Sequence, residues 1–561
     1  MRKVTNIECR HVVYSKNRFN DTDDAVFVKE QIHYDDGTIE PNLRMLENVE
    51  RPFFVTRPQY RNHDQKKMFE ALDRVKPYKA TQRKLSNKVS KALGFSGFNP
   101  GLKALARSPY LYGTDIPIEA VVKHNYQTKF PDKITMSTVA VLDIETNMLD
   151  GTEEPITCAL TYKDKAILAI NSNWYNVLDI DQVLRDKFDY YLKDYVKDRN
   201  IDLEIVVCKD AADTVIRCIE KAHEWMPDFV AIWNINFDIP KILETLERYN
   251  KDAAEVFSDP KTPEAYKFCR YKEGPASKIT ASGVKKVLAP AERWHTLYHP
   301  ASFYVIDAMC VYKNIRTAKG LEPSYALDAI LNKELGVRKL KFKEADHLTS
   351  QLEWHKFMQS NYKAEYCIYN LFDCISVELL QEKVLDLPIT INMLSKINDF
   401  ALFPSQPRRT CNNLHYHALE KGYVIASTSD QMATDLDKLL TSTSKWIITL
   451  ETTLIADIGL KVLEGLPNIS TRIMTFVADL DVSSSYPNGG IACNIESSTT
   501  LIETVKILGV SEKTRRIAAL NLTAPRVNAY EIVRSIHKAP SCDKLLDAYR
   551  EWKKEKNKEA A

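Results

Sequence analysis

The order of apolar and amphipathic segments between residues 134 and 250 constrains the fold of this chain more than any other feature. Strand-like segments come first: "TVAVLDIE", a hairpin "TCALTYKDKAILAIN" that turns at Lys163–Asp164, and "LEIVVCKD". An amphipathic helix, "AADTVIRCIEKAHEWM", precedes another strand, "FVAIWN", and then "PKILETLERYN", which we expect to be a helix that opens on its proline. Strands that alternate with helices in this way predict a mixed sheet flanked by helices.

Length and composition limit the number of domains and the class of protein. The chain has 561 residues, 44% of them hydrophobic, so we expect several domains, because single cores rarely grow beyond roughly 250–300 residues. Residues 1–60 alternate short polar and apolar runs, which predicts a small, mostly β module. The 11 cysteines include no C-x-x-C pair, which excludes zinc-ribbon spacing and favours free thiols in a reducing compartment. Without a signal-peptide core or a run of about 18 apolar residues, we expect a soluble protein with no membrane partner.

The net charge of +2 indicates no partner by itself, but the charge is unevenly distributed. Between Arg74 and Arg107 there is no acidic residue, and Tyr78, Phe95 and Phe98 are interspersed among the basic ones. The nine basic residues are Arg74, Lys76, Lys79, Arg83, Lys84, Lys88, Lys91, Lys103 and Arg107. Such a segment suits a nucleic-acid strand through phosphate attraction and base stacking. A solvated basic helix followed by a glycine-rich loop explains it equally well.

Two carboxylates stand at the end of the first apolar strand of the predicted sheet. Asp143 and Glu145 are separated by one residue, so an extended strand places both side chains on one face. Two such carboxylates repel each other unless a cation lies between them. An acidic strand end that faces water is the ordinary alternative.

Three further polar residues follow along the chain. Asp238 comes after the strand "FVAIWN" and before the proline of the next helix, where an N-cap is the ordinary role of an aspartate. Tyr369 and Asp373 are four residues apart and therefore share one face of a predicted helix, for which a mixed polar face is the alternative. Each pattern is weak alone, but the ordered set D-x-E, N-x-x-F-D and Y-x-x-x-D is specific.

This ordered set resembles the three motifs of DnaQ-like 3′–5′ exonucleases. The resemblance implies an RNase H-like domain in which Asp143, Glu145, Asp238 and Asp373 bind two Mg²⁺ ions, with Mn²⁺ as a substitute. Tyr369 would orient the attacking water. Oxygen ligands suit hard cations, and two divalent ions about 4 Å apart both activate water and stabilise the leaving oxygen of a phosphodiester.

The stretch "DLDVSSSYPNGG", residues 479–490, resembles motif A of family B DNA polymerases, D-x-x-S-L-Y-P. The resemblance implies that Asp481 is a catalytic metal ligand and that Ser484, Ser485 and Tyr486 lie at the incoming nucleotide. The ring of Tyr486 would occupy the space of a 2′-hydroxyl group and so select deoxyribonucleotides. Ser485 stands where the family has leucine. An ordinary strand end with a serine-rich turn is the alternative.

The domain organisation follows from the same resemblance, which is closest to phage-type members of the family. It implies an α+β and α/β multidomain fold. The expected domains are an N-terminal domain at 1–130 completed by about 387–425, the 3′–5′ exonuclease domain at 131–386, a partial palm with motif A at 426–505, and the first part of the fingers at 506–561.

Two elements that the family requires do not follow Asn488: a K-x-x-x-N-S-x-Y-G helix and a Y-G-D-T-D-S turn. We therefore expect the N-terminal subunit of a split DNA polymerase that replicates viral DNA in the cytoplasm of an infected bacterial host. Its partners would be primer-template and single-stranded DNA, dNTP, a second polypeptide with the missing motifs and the thumb, and a sliding clamp. The alternatives are a stand-alone 3′–5′ exonuclease with a vestigial palm and a non-catalytic nucleic-acid-binding assembly subunit.

Overall fold

The structure is a computed structural model that describes residues 2–435, except 96, 98, 132–134 and 281–282, together with Asp547 and Glu551. The chain divides into two units, Met1–Asp435 and Leu436–Ala561. The predicted polymerase residues lie outside the described residues: Asp481, Ser484, Ser485 and Tyr486. Within the described part, no helix has both the length and the apolar character needed to cross a membrane.

The strands of the described part belong to several sheets. They are β1 (Val4–Lys16), β2 (Asp24–Tyr34), β3 (Ile39–Glu47), β4 (Glu50–Thr56), β5 (Phe69–Ala71), β6 (Val75–Thr81), β7 (Leu111–Tyr112), β8 (Val139–Thr146), β9 (Pro155–Tyr162), β10 (Lys165–Asn171), β11 (Asp202–Cys208), β12 (Phe229–Ile232), β13 (Arg270–Lys272), β14 (Ser277–Ile279), β15 (Lys285–Val287), β16 (Thr296–Tyr298), β17 (Tyr304–Asp307) and β18 (Tyr423–Ile425).

Helices of very different length connect these strands. They are α1 (Leu85–Leu93), α2 (Leu102–Leu105), α3 (Ile118–Lys129), α4 (Ile180–Leu192), α5 (Ala211–Trp225), α6 (Ile235–Arg248), α7 (Ala253–Phe257), α8 (Ala308–Ile315), α9 (Leu327–Leu335), α10 (Gln351–Asn361), α11 (Lys363–Val384), α12 (Ile391–Ser395), α13 (Gln406–Glu420) and α14 (Met432–Asp435). The described part is therefore a mixed α/β protein with several sheets.

The N-terminal region is built from two small antiparallel sheets, with strand orders β1-β2-β3 and β6-β4-β7. Val12, Val26 and Val28 of the first sheet pack against Ile118 and Val121 of α3, which covers one face. The predicted mostly β module over residues 1–60 is confirmed. After α11 the chain returns to this region, where β18 pairs antiparallel with β5.

The largest sheet has six strands in the order β11-β10-β9-β8-β12-β17. The pairs β8–β9 and β9–β10 are antiparallel, whereas β10–β11, β8–β12 and β12–β17 are parallel. Helices α5 and α6 cover one face, and α4, α8 and α11 cover the other. The predicted mixed sheet flanked by helices is confirmed, as is the hairpin turn, where Lys163 has a φ of 58° between β9 and β10.

Alternation along β8 decides which way its acidic residues point. Leu142 and Ile144 pack into the core beneath α5 and α6, whereas Val141 packs into the core beneath α11. Because side chains alternate along a strand, Asp143 and Glu145 lie on the face of Val141 and point toward α11.

The start of α6 differs from the prediction. The helix begins at Ile235, and Pro240 lies inside it rather than opening it. Ile235 and Ile239, one turn apart, are almost fully buried, so the first turn contributes to the core. In addition, the carboxylate of Asp307 at the end of β17 accepts the backbone N–H of Ile235 at 3.1 Å and that of Cys310 in α8 at 2.7 Å. The burial of the first turn and the hydrogen bond from Ile235 to Asp307 on the neighbouring strand therefore fix the start of the helix upstream of Pro240.

Candidate metal centre

Three of the predicted ligands meet where α11 crosses the end of β8. Asp143, Glu145 and Asp373 each present a carboxylate oxygen, and these oxygens all lie within 4.8 Å of one another. Asp373 is 5% exposed and Glu145 is 9% exposed, while Asp143 is half-buried, so the group is enclosed rather than part of a solvated surface. The alternative of an acidic strand end facing water is therefore wrong for Asp143 and Glu145.

Asp238 lies beside this group, although it is outside the set of oxygens within 4.8 Å. It occupies the first turn of α6 and is 5% exposed, and the backbone of Ile144 in β8 partly offsets the effect of burial on its pKa. The N-cap position of α6 belongs to Asn234, so the N-cap alternative for Asp238 is wrong. We refer to Asp143, Glu145, Asp238 and Asp373 as the acidic centre.

The acidic centre carries more negative charge than its surroundings neutralise. Burial, followed by the carboxylates of Asp238, Asp373 and Glu145, holds the pKa of Asp143 well above its usual value. Burial and then Glu145 raise the pKa of Asp238 in the same way. Burial raises the pKa of Glu145 to about 7, and it also raises that of Asp373. Such an excess of buried negative charge is the condition that a bound cation relieves.

Lys339, in the segment that follows α9, is a member of the site that the sequence analysis missed. Its Nζ donates to the carboxylate of Asp373 and, at 3.0 Å, to the hydroxyl group of Tyr369. Burial lowers the pKa of Lys339, but Asp373 and Tyr369 outweigh that effect and hold the pKa well above its usual value. Lys339 therefore remains an ammonium group that fixes both side chains. The surrounding sequence "VRKLKF" has no pattern that distinguishes it from a surface lysine.

Helix α11 presents two further polar residues to the centre. The hydroxyl group of Tyr366 donates to Glu145, and the amide of Asn370 donates to Asp143 at 2.7 Å. Together with Tyr369 and Asp373 they occupy positions i, i+3, i+4 and i+7 of one helix face. This spacing is the available signal in the sequence, because the four polar residues recur on one face of a stretch, residues 366–375, that is otherwise apolar.

Helix α10 holds Tyr366 in place. The Tyr366 hydroxyl accepts a hydrogen bond from Nε2 of Gln359 at 3.1 Å and lies 2.7 Å from Nδ1 of His355. Gln359 is itself fixed, because its Nε2 donates to the carbonyl of Thr146 and its Oε1 accepts the backbone N–H of Met148. Because the Tyr366 oxygen already accepts a hydrogen bond from Gln359, its own hydroxyl proton is available to donate to Glu145.

The chemistry of this donor set follows from its atoms. The ligands are carboxylate oxygens, which hard divalent cations prefer, and the amide and hydroxyl groups around them fix their orientation. Asp143, Glu145 and Asp373 are therefore suited to hold a metal ion, with Asp238 adjacent. Tyr369 lies on the same helix face, with its hydroxyl group held by Lys339.

Comparison with protein-family models and with curated proteins finds no match to this chain.

Proposed function

We propose that this chain is a 3′–5′ exodeoxyribonuclease whose acidic centre binds two Mg²⁺ ions, for which Mn²⁺ can substitute. The observation that carries the proposal is the convergence of three carboxylates within 4.8 Å, those of Glu145 and Asp373 buried and that of Asp143 half-buried, with the buried Asp238 beside them. On a surface, water and salt would screen the repulsion within such a cluster, whereas burial makes the negative charges of this one costly to one another, a cost that a bound cation would relieve. The mixed sheet, with its antiparallel strands β8, β9 and β10 followed by the parallel β12 and β17, supports an RNase H-like fold.

The two ions would supply an activated water and stabilise the charge on the leaving oxygen of the phosphodiester. The chain's own residues hold the ligands in place. Tyr366 and Asn370 fix the carboxylates of Glu145 and Asp143, so that little reorganisation is needed when cations bind. Lys339 fixes Asp373 and directs the oxygen of Tyr369 toward the centre, where that hydroxyl would orient the attacking water.

The test uses the full chain with a 5′-labelled single-stranded oligonucleotide and Mg²⁺ or Mn²⁺. We expect a ladder of products shortened from the 3′ end. Asp143→Ala should slow hydrolysis by about three orders of magnitude or more, because both the nucleophile and the charge stabilisation depend on the ions. Asp189→Ala is the matched control, since Asp189 is an exposed aspartate of α4. Equal digestion by the wild type and Asp143→Ala would refute the proposal.

We also propose that the exonuclease belongs to a split DNA polymerase of family B. The support is the sequence "DLDVSSSYPN", in which Asp481 and Tyr486 match motif A and follow the exonuclease motifs in the order of that family. Transfer of a nucleotide by two ions requires carboxylates in addition to Asp481, and we propose that a second polypeptide supplies them. Primer-template DNA and dNTP would be the substrates, with a sliding clamp as a further partner.

Primer extension tests this second proposal. The chain is assayed alone and after co-expression with the product of the adjacent reading frame. We expect extension only from the pair, and none from the pair that carries Asp481→Ala. Extension by this chain alone would contradict the split arrangement, and extension that survives Asp481→Ala would contradict the assignment of that residue.

A further inference from the structure

The basic stretch from residue 74 to 107 separates into two classes in the structure. It is not one basic helix, because its first part is strand β6 and only Leu85–Leu93 is helical. Four of its basic residues have acidic partners: Arg74 with Glu70, Arg83 with Asp21, Lys103 with Asp430 and Arg107 with Asp435. Five are exposed and have no acidic partner within the described residues: Lys76, Lys79, Lys84, Lys88 and Lys91. The unneutralised charge therefore belongs to lysines alone.

Three of these lysines form a row along α1. Lys84, Lys88 and Lys91 stand at positions i, i+4 and i+7, so they share one face, with about one helical turn of 5.4 Å between neighbours. The opposite face of the helix carries Leu85 and Val89, which are fully buried in the core under β4 and β6. Helix α1 thus has no apolar face left to enter a membrane, and we refer to these three residues as the lysine row.

An exposed aromatic residue follows the end of this row on a fixed backbone. Gly94 has a φ of 97°, and its backbone N–H bonds to the carbonyl of Lys91 at 3.1 Å. The backbone N–H of Phe95 bonds to the carbonyl of Ser90 at 3.0 Å, which completes a Schellman motif. Phe95 is 47% exposed. The motif fixes the backbone of Phe95 just beyond the end of the lysine row, and about half of its ring surface is open to solvent.

The far end of the glycine-rich loop is tied back to the start of α1. Oδ1 of Asn99 accepts the hydroxyl group of Ser86 at 3.0 Å and the backbone N–H of Gly101 at 2.9 Å, and Nδ2 of Asn99 donates to Asn87. Asn87 is exposed next to Lys88. The loop therefore leaves α1 beyond Lys91 and returns to the first turn of the same helix.

We propose that the lysine row and Phe95 bind a single strand of DNA, with its phosphates on Lys84, Lys88 and Lys91 and an unpaired base stacked on Phe95. The inference extends the proposed function, on which the choice of DNA rests. An exposed ring favours a single strand over a duplex, because stacking requires a base that is not already stacked in a helix. Lysines that recur about once per helical turn on one face suit the regular phosphates of a strand better than an irregular acidic protein surface.

The test measures binding of a 5′-fluorescein-labelled oligo(dT) to the full chain by fluorescence anisotropy, without divalent metal, at several salt concentrations. The variant carries Lys84→Gln, Lys88→Gln and Lys91→Gln. We expect the slope of log affinity against log salt to become shallower by about 2, because each phosphate contact on a single strand contributes about 0.7. Replacing the same lysines with arginine should retain the slope. A matched control carries glutamine at three exposed lysines elsewhere: Lys193, Lys197 and Lys383.

Phe95→Ala separates stacking from charge. We expect it to weaken binding of the single strand about five- to tenfold, to leave the salt slope unchanged, and to leave binding of a duplex unchanged. An unchanged slope in the glutamine variant, or an equal loss in the control, would overturn the proposal. So would binding to phosphatidylserine vesicles that depends on the same lysines and matches the binding of DNA. Because no metal is present, these results are independent of whether the acidic centre cleaves DNA.

Discussion

The acidic centre and the lysine row both concentrate charge of one sign, but the chain builds them differently. Strand β8, helix α6 and helix α11 each contribute to the acidic centre, whose carboxylates are buried or half-buried and have raised pKa values. The lysine row comes from a single short helix, and its ammonium groups are in water. Buried charge of one sign destabilises the fold until a cation arrives, whereas exposed charge costs little and is screened by salt. The first arrangement suits a tightly bound ion, and the second suits the DNA strand proposed above, whose binding salt would weaken.

Lys339→Met gives the largest expected effect on stability. It leaves Asp373 buried without its ammonium partner, and breaking a buried ion pair from one side costs about 3–5 kcal/mol. We expect a lower melting temperature in metal-free buffer and partial recovery when Mn²⁺ is added, because the ion replaces the lost charge. Lys333→Met is the control, since Lys333 is an exposed lysine on α9. A melting temperature equal to that of the control would show that Lys339 does not neutralise the centre.

Tyr366→Phe tests whether the carboxylates of the acidic centre, unlike the exposed side chains of the lysine row, depend on neighbouring residues that hold them in place. The variant removes the proton donor to Glu145 while it keeps the ring in place. Loss of such an orienting partner typically weakens metal binding 10- to 100-fold, and we expect a decrease of this size in Mn²⁺ affinity, measured by electron paramagnetic resonance. Tyr190→Phe, at a tyrosine that is 79% exposed, should bind Mn²⁺ as the wild type does. Wild-type affinity in Tyr366→Phe would make Tyr366 a packing residue only.

Asp143→Asn should stabilise the metal-free protein by about 1–2 kcal/mol, because it removes one of several mutually repelling buried carboxylates. The same change should abolish the rise in melting temperature that Mg²⁺ causes in the wild type, since a ligand stabilises only the state that binds it. Calorimetry with and without Mg²⁺ measures both effects. A metal-free variant that is less stable than the wild type would mean that the carboxylates of the acidic centre do not destabilise the fold.

Lys88→Gln should have the smallest effect. It removes one exposed charge from the lysine row, so we expect a salt slope shallower by about 0.7 and no change in melting temperature or in Mn²⁺ affinity. Salt titration of oligo(dT) binding measures the slope. A change in Mn²⁺ affinity would show that the two regions are electrostatically coupled, contrary to their separate construction.

The local sequence pattern was enough to predict those structural features that depend on residues close together in the chain. The hairpin at Lys163–Asp164 and the shared face of Asp143 and Glu145 follow from residue type and from alternation in strands, and both occur in the structure. The pairing of Tyr369 with Asp373 on one helix face follows from helical spacing alone. In each case the interactions that decide the geometry lie within a few residues.

Contacts between distant segments could not be predicted in this way. Lys339 reaches Asp373 from a loop 34 residues earlier, and nothing near it in the sequence marks it as part of a site. The local pattern predicts a start of α6 that is too late, because the backbone N–H of Ile235 bonds to Asp307, which is 72 residues away at the end of another strand. The sequence also could not separate Arg83, bound to Asp21, from the free Lys84 beside it, because the acidic partner belongs to a different turn.

Asp307 has a consequence for how mutational screens of this protein are interpreted. Its one carboxylate holds the start of α6, which carries Asp238, and also the start of α8. In Asp307→Asn the side-chain oxygen could still accept one backbone N–H, but the side-chain NH₂ group would face the second N–H, and two donors cannot bond to each other. We therefore expect the start of α6 to shift relative to β8. A screen that scores only loss of the proposed hydrolysis would then count Asp307 among the proposed metal ligands. Asp307 is better regarded as a structural residue that fixes the starts of two helices. A variant of a structural residue would regain activity through second mutations that restore helix packing, whereas a variant of a metal ligand would regain it at higher metal concentration.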